Sequence, residues 1–215
     1  MPIIKKNGKV GYFAHIPKCG GSSIEHYCKQ IGAKLAFVDT QFVSHPAAQP
    51  WNISSPQHID GQSLSRLFPA EFFDFSFAVV RNPVERFISA FKFQLLVENT
   101  IPADRNINEF IAEDLASIST TLGQFDNHFM PQSGFLMPNL EYKLFKFEEG
   151  FSKVKWYIDH RFLGTAAKVN MQHKNKGRDT EALDEQLKLT TSSLALLKEI
   201  YQADYEKFGF IKEKK

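Results

Sequence analysis

The chain of 215 residues has only two cysteines, Cys19 and Cys28. Their spacing fits no metal set, and a disulfide scaffold would carry more, so a reducing compartment is the simpler expectation. Long apolar runs are missing as well. Nothing approaches the roughly 20 residues of a membrane span, and the basic stretch before Gly11 is followed by no apolar run of signal-peptide length. A soluble, cytoplasmic protein is expected. Nor does one sign of charge dominate: 26 basic against 24 acidic residues give a net charge of +2. That balance is too even to coat a nucleic acid or a membrane. Internal repeats and low-complexity segments are absent. So is any Gly-Lys-Ser/Thr, the end of a nucleoside-triphosphate loop whose hydroxyl holds magnesium.

Aromatic surface, by contrast, is plentiful. With 21 phenylalanines and 43% hydrophobic residues the chain can bury a core, and its length suits one compact domain over residues 1–215. Residues 10–16 form an apolar run closed by Pro17. Glycines follow, then Ser22, Ser23, Ile24 and Tyr27 at helical spacing, which predicts strand, loop and helix. Residues 75–80 repeat that order without alternation, as in a strand buried on both faces, and Asn82 and Pro83 open a helix to about Val97. Residues 35–38 and 142–147 are further strand candidates. Helices are expected around residues 62–68, from an Asn106 cap with Glu109 as its partner to about Ser117, and over residues 149–161. A last helical pair spans residues 180–208, with a break near residues 190–193. Residues 40–61 form a long loop, and such loops in compact domains are usually functional. The alternation predicts an α/β fold, a P-loop-like parallel sheet flanked by helices, with ligands at the carboxyl ends of the strands.

Two segments begin at those strand ends. Residues 17–23 read PKCGGSS: glycines and serines at a helix start let backbone N–H groups approach an oxyanion, the helix dipole adds attraction, and Lys18 adds a full charge. Taken alone, the segment is equally an ordinary turn with a surface lysine. Cys19, beside Lys18 at a helix N-terminus, also has the setting of an activated thiol. In the second segment Arg81 leaves the strand and Ser89 lies two helical turns on, offering a forked donor set and a hydroxyl to another phosphate. Arg86 and Glu85 read as a solvated pair on the helix surface.

Together, PKCGGSS at residues 17–23 and RNPVERFISAF at residues 81–91 resemble the two nucleotide-binding motifs of sulfotransferases that use 3′-phosphoadenosine 5′-phosphosulfate. The likeness is strongest to the carbohydrate sulfotransferases of the Golgi and their bacterial relatives. DNHFMPQ at residues 126–132 and YQADYEKFGF at residues 201–210 echo the same family, while residues 100–121 match nothing in it. The resemblance implies that Lys18, Cys19, Gly20, Gly21, Ser22 and Ser23 hold the 5′ end of the donor, with Lys18 stabilising the leaving group. It implies that Arg81 and Ser89 hold the 3′-phosphate.

A hydroxyl acceptor must lose a proton, and histidine is the usual side chain for that task. His58, in the long loop, falls where related enzymes carry the general base. His128 is the rival, and His128 and Gln132 are candidates for orienting the acceptor. His15, at a strand end, reads as a core residue, and His26 and His160 lie within helices. The basic cluster Lys174, Asn175, Lys176 and Arg178 either folds over the donor or is a solvated loop. The expectation is a single-domain sulfotransferase without a metal, acting on a hydroxyl of a sugar or glycan. A small-molecule kinase and a non-catalytic nucleotide-binding module are the alternatives.

Overall fold

A computed structural model of the protein describes residues 2–42, 44, 52–172 and 186–210. Five strands, β1 (Ile3–Lys6), β2 (Lys9–Ala14), β3 (Lys34–Ala36), β4 (Phe75–Val80) and β5 (Lys143–Lys146), form one sheet in the order β3-β1-β2-β4-β5. The alternation of strand and helix is realised in β2, β4 and β5, which run parallel. β1 was not foreseen. It pairs antiparallel with both β2 and β3, so the sheet is mixed around a parallel core. Its cause is the pair Asn7 and Gly8, both at positive φ (49° and 77°), a two-residue turn whose twist matches a hairpin.

The helices are α1 (Gly21–Gln30), α2 (Gly61–Ser65), α3 (Pro83–Leu96), α4 (Ile107–Glu113), α5 (Leu115–Ile118), α6 (Ser152–Phe162), α7 (Thr191–Ile200) and α8 (Gln202–Phe208). The Asn82 side chain caps α3 by accepting from the N–H groups of Val84 and Glu85, with Pro83 at the first helical position. Asn106 caps α4 as expected, but Glu109 turns to Arg105 (3.7 Å) instead of closing a capping box. In the C-terminal pair the interruption falls at Tyr201, because Thr190 begins α7 as its cap. The cluster Lys174, Asn175, Lys176 and Arg178, and the first residues expected in that pair, lie outside the described residues.

Two apolar cores result. One surrounds the sheet and includes Phe13, Ile24, Tyr27, Phe77, Phe145 and Ile158. The other lies between α3, α4 and α7, built on Phe87, Phe91, Phe110, Phe129, Leu197 and Tyr201. Residues 100–121, which matched no family pattern, supply Ile107, Phe110, Ile111 and Leu115 to this second core.

Arg86 corrects the surface reading given above. It is fully buried and donates to the carbonyls of His128 (2.8 Å) and Met130 (2.8 Å), with its guanidinium 5.4 Å from the Tyr201 ring. Glu85 is the solvated member and pairs loosely with Arg81 (3.7 Å).

Candidate active site

The parallel strands β2, β4 and β5 end on one edge of the sheet, and the residues that follow them line one cleft of about 400 Å³. Lys18 and Gly20 sit in the loop after β2 at positive φ (66° and 85°), and Gly20 precedes α1 as its N-cap. A Cβ on Gly20 would lie 2.4 Å from the Phe151 ring, and one on Gly21 1.8 Å from His15 Nε2. A side chain at Gly21 would thus displace the His15 ring of the cleft wall, and one at Gly20 the Phe151 ring behind it. The Ser23 N–H is taken by the Gly20 carbonyl (3.1 Å), while the N–H groups of Gly21 and Ser22, at the first two positions of α1, precede the first helical carbonyl and point toward an anion placed at the helix start.

Lys18, Gly20, Gly21, Ser22 and Ser23 share the cleft with Arg81 and Ser89, so both sequence segments meet in one place. Lys18 Nζ rests 3.9 Å from the centroid of the Phe93 ring. Burial, and then the neighbouring Arg81 charge, bring its pKa down to about 8. Arg81 donates from Nη1 to the Lys18 carbonyl (3.4 Å) and covers the Phe147 ring at 4.7 Å. Two neighbouring cations, of which only Arg81 has a loose carboxylate contact (Glu85, 3.7 Å) among the described ion pairs, make an anion site.

Cys19 and Gln132 take other places. The Cys19 side chain is buried, and burial pushes its thiol up to about 12, so the activated-thiol alternative fails. Gln132 is fully buried and absent from the cleft wall, which removes it from the acceptor. Its Nε2 donates to the Arg81 carbonyl (2.8 Å), and its Oε1 accepts from the Arg81 N–H (2.9 Å). Asp204 fixes the Gln132 and Ser133 N–H groups in turn (2.7 and 2.8 Å). Gln132 is therefore a positioning residue for Arg81.

The histidines form a row across the cleft. His58 lies edge-on to His15 and to His128, both at 5.0 Å between ring centroids. His15, read as a core residue from the sequence, is buried but lines the cleft, with Glu25 Oε1 at 2.8 Å from Nδ1. Burial lowers the pKa of His15. It also drives His128 well below the ordinary histidine range, with His58 adding to the effect. His128 Nδ1 bonds the Phe125 carbonyl (2.8 Å), and its ring stacks on Phe93 at 5.1 Å. His58, like His15, has a half-buried carboxylate at its ring, and the closer one: Nδ1 lies 2.6 Å from Asp126 Oδ2. The same carboxylate accepts from the Ser55 N–H (2.6 Å) and hydroxyl (2.7 Å). Burial pushes Asp126 up, but the His58 ring, the Ser55 N–H and His128 together hold the group down at about 2. An ionised Asp126 only accepts, so Nδ1 of His58 carries the hydrogen, and in the neutral ring the lone pair is on Nε2.

Asp126 was not singled out in the sequence, where it stands two residues before His128. Its placement depends on three consecutive residues at positive φ, Phe125 (49°), Asp126 (51°) and Asn127 (60°). Left-handed backbone costs roughly 1–2 kcal/mol per non-glycine residue. Hydrogen bonds offset it here: Asn127 Nδ2 donates to the His58 carbonyl (2.8 Å), and Asn127 Oδ1 accepts from the Gly123 N–H (2.7 Å). His58, Asp126 and His128 also bring candidate metal-ligand atoms within 4.8 Å of one another. A cation held there would compete with the His58–Asp126 hydrogen bond.

A glycine loop at a helix start, a second cationic subsite and a carboxylate-held histidine on one edge of an α/β sheet define a nucleotide-dependent group transferase. The model of the sulfotransferase family matches residues 4–211, nearly the whole chain, and the chain belongs to that family, enzymes that use 3′-phosphoadenosine 5′-phosphosulfate. No curated protein and no solved structure matches the chain.

Proposed function

We propose that the chain moves the sulfuryl group of 3′-phosphoadenosine 5′-phosphosulfate to a hydroxyl of a carbohydrate acceptor, with His58 as general base. The observation that supports this most is the His58–Asp126 pair on the same cleft as Lys18 and Arg81. In the step, the acceptor oxygen bonds to sulfur as the bond from sulfur to the 5′-phosphate oxygen breaks. The acceptor proton passes to His58 Nε2, and 3′-phosphoadenosine 5′-phosphate leaves. Lys18 and the N–H groups at the start of α1 stabilise charge on the leaving phosphate. Arg81 and Ser89 hold the 3′-phosphate. Asp126 keeps the productive tautomer of His58 and stabilises its protonated form.

The test is a thermal-shift titration with 3′-phosphoadenosine 5′-phosphate against ATP, on the wild type and on Arg81→Ala. The bisphosphate should stabilise the wild type more than ATP does. Loss of charge-assisted bonds to Arg81 should weaken it about tenfold to a hundredfold. A wild type unmoved by the bisphosphate would sink the proposal.

The lowered pKa of Lys18 gives a second check. A bound phosphate favours the charged amine, so the pKa of Lys18 is higher in the complex than in the free protein. Below about pH 8 the free protein already carries the charge and binds at full strength. Above it, the bound state must take up a proton. The affinity for the bisphosphate should therefore fall by up to about tenfold per pH unit as pH rises through this value. Calorimetric titrations between pH 6.5 and 9.5, with Lys18→Met as the control that loses the slope, measure it; equal slopes in the two proteins would exclude Lys18 as the titrating group.

A further inference from the structure

A second cavity, of about 490 Å³, opens beside the donor cleft and shares Glu98, Asp126 and His128 with it. His58 and Lys18 line only the donor cleft, and Asp126, which bonds the His58 ring, stands at the boundary. The remaining walls of the second cavity present the apolar side chains Phe42, Ile53 and Phe125, the amides of Gln94 and Gln124, and the Thr100 hydroxyl. Aromatic faces with a few amides and a carboxylate are the lining that sugar C–H faces and hydroxyls fit. Among the described residues no lysine or arginine lines it.

The charge that is present is negative. Asp126 is committed to His58 and Ser55. Glu98 follows the C-terminal end of α3, where the helix dipole is also negative, and its field reaches Lys18 across the boundary of the two cavities. Among the described residues its carboxylate has no ion-pair partner and no hydrogen-bond donor. An acceptor bearing a carboxylate or sulfate would meet Glu98, the end of α3 and the donor's own phosphosulfate, with the nearby cations Lys18 and Arg81 facing the donor cleft and, among the described residues, no lysine or arginine in the wall of this cavity.

We propose that this cavity is the acceptor subsite, and that Glu98 makes it select uncharged or amine-bearing hydroxyl compounds with an apolar or aromatic portion over anionic glycans. This rests on the sulfotransferase reading above and names its substrate class.

A matched pair of ligands tests it: phenyl β-glucoside and phenyl β-glucuronide, which differ at C6, a hydroxymethyl in one and a carboxylate in the other. Their binding to the full chain saturated with 3′-phosphoadenosine 5′-phosphate is measured at pH 7 by ligand-observed NMR, and turnover of both is then compared with the sulfate donor. The glucoside should bind more tightly by about tenfold or more, as like-charge juxtaposition predicts. Glu98→Gln should narrow that ratio and Glu98→Lys reverse it. The wild-type comparison and the conservative Glu98→Gln decide the matter if Glu98→Lys fails to fold. Equal or tighter binding of the glucuronide to wild type, a ratio unchanged in Glu98→Gln, or binding of neither glycoside while the bisphosphate binds, overturns the inference and leaves the donor reading standing. Failure of the bisphosphate itself to bind overturns both.

Discussion

Replacing His58 with alanine is expected to lower turnover by about 10² to 10⁴ while leaving the affinity for 3′-phosphoadenosine 5′-phosphate nearly intact. The separation follows from geometry. His58 is held from three sides, by Asp126 at its ring, Asn127 at its carbonyl and Ser55 at its N–H, and none of those bonds involves Lys18 or Arg81. Asp126→Asn should cost turnover too, because a neutral amide can no longer stabilise the protonated ring. His128→Ala should cost less, since the ring of His128 bonds a carbonyl and its low pKa makes it a poor proton acceptor. Single-turnover rates alongside bisphosphate titrations measure both quantities. A His58→Ala protein that loses donor binding and rate in equal proportion would remove His58 from the role of base.

Arg86→Leu is expected to destabilise the fold by about 3 to 5 kcal/mol. The substitution strands two buried carbonyls, those of His128 and Met130, that the guanidinium alone satisfies across α3. Because His128 directly follows the left-handed turn, the damage should extend to the seat of Asp126. Arg86→Lys keeps the charge, but an ammonium lacks the planar fork needed to reach both carbonyls, so it should fall between the two. Urea unfolding of the three proteins gives the numbers. A loss under about 1 kcal/mol would mean that Arg86 behaves like a surface charge.

Both segments that meet in the cleft were legible in the sequence because each is contiguous: a strand end, a turn and the first turns of a helix carry all the residues involved. β4 was legible for the same local reason, its unbroken apolar run. β1 was missed because Ile3 and Ile4 are followed at once by Lys5 and Lys6, leaving no alternation to notice; the Asn7–Gly8 pair was the available signal. Arg86 was misread as Glu85's companion, although adjacent residues of a helix do not face each other. Its spacing from Pro83, Phe87 and Ala90 places it on the buried stripe of α3. Gln132 offered only its polarity inside an apolar stretch, which does not distinguish a ligand from a clamp. The pairing of Asp126 with His58 spans 68 residues and depends on backbone that L-residues disfavour. No local pattern encodes it.

The run at Phe125, Asp126 and Asn127 also bears on how this protein would respond to selection for heat tolerance. Its three left-handed residues are a standing reserve of instability, and relaxing them to right-handed backbone is an easy route to a tougher molecule. That route swings the Asp126 carboxylate away from His58. Variants enriched for survival at high temperature should therefore accumulate changes around this turn and emerge as sturdy proteins that still hold the nucleotide and no longer transfer from it.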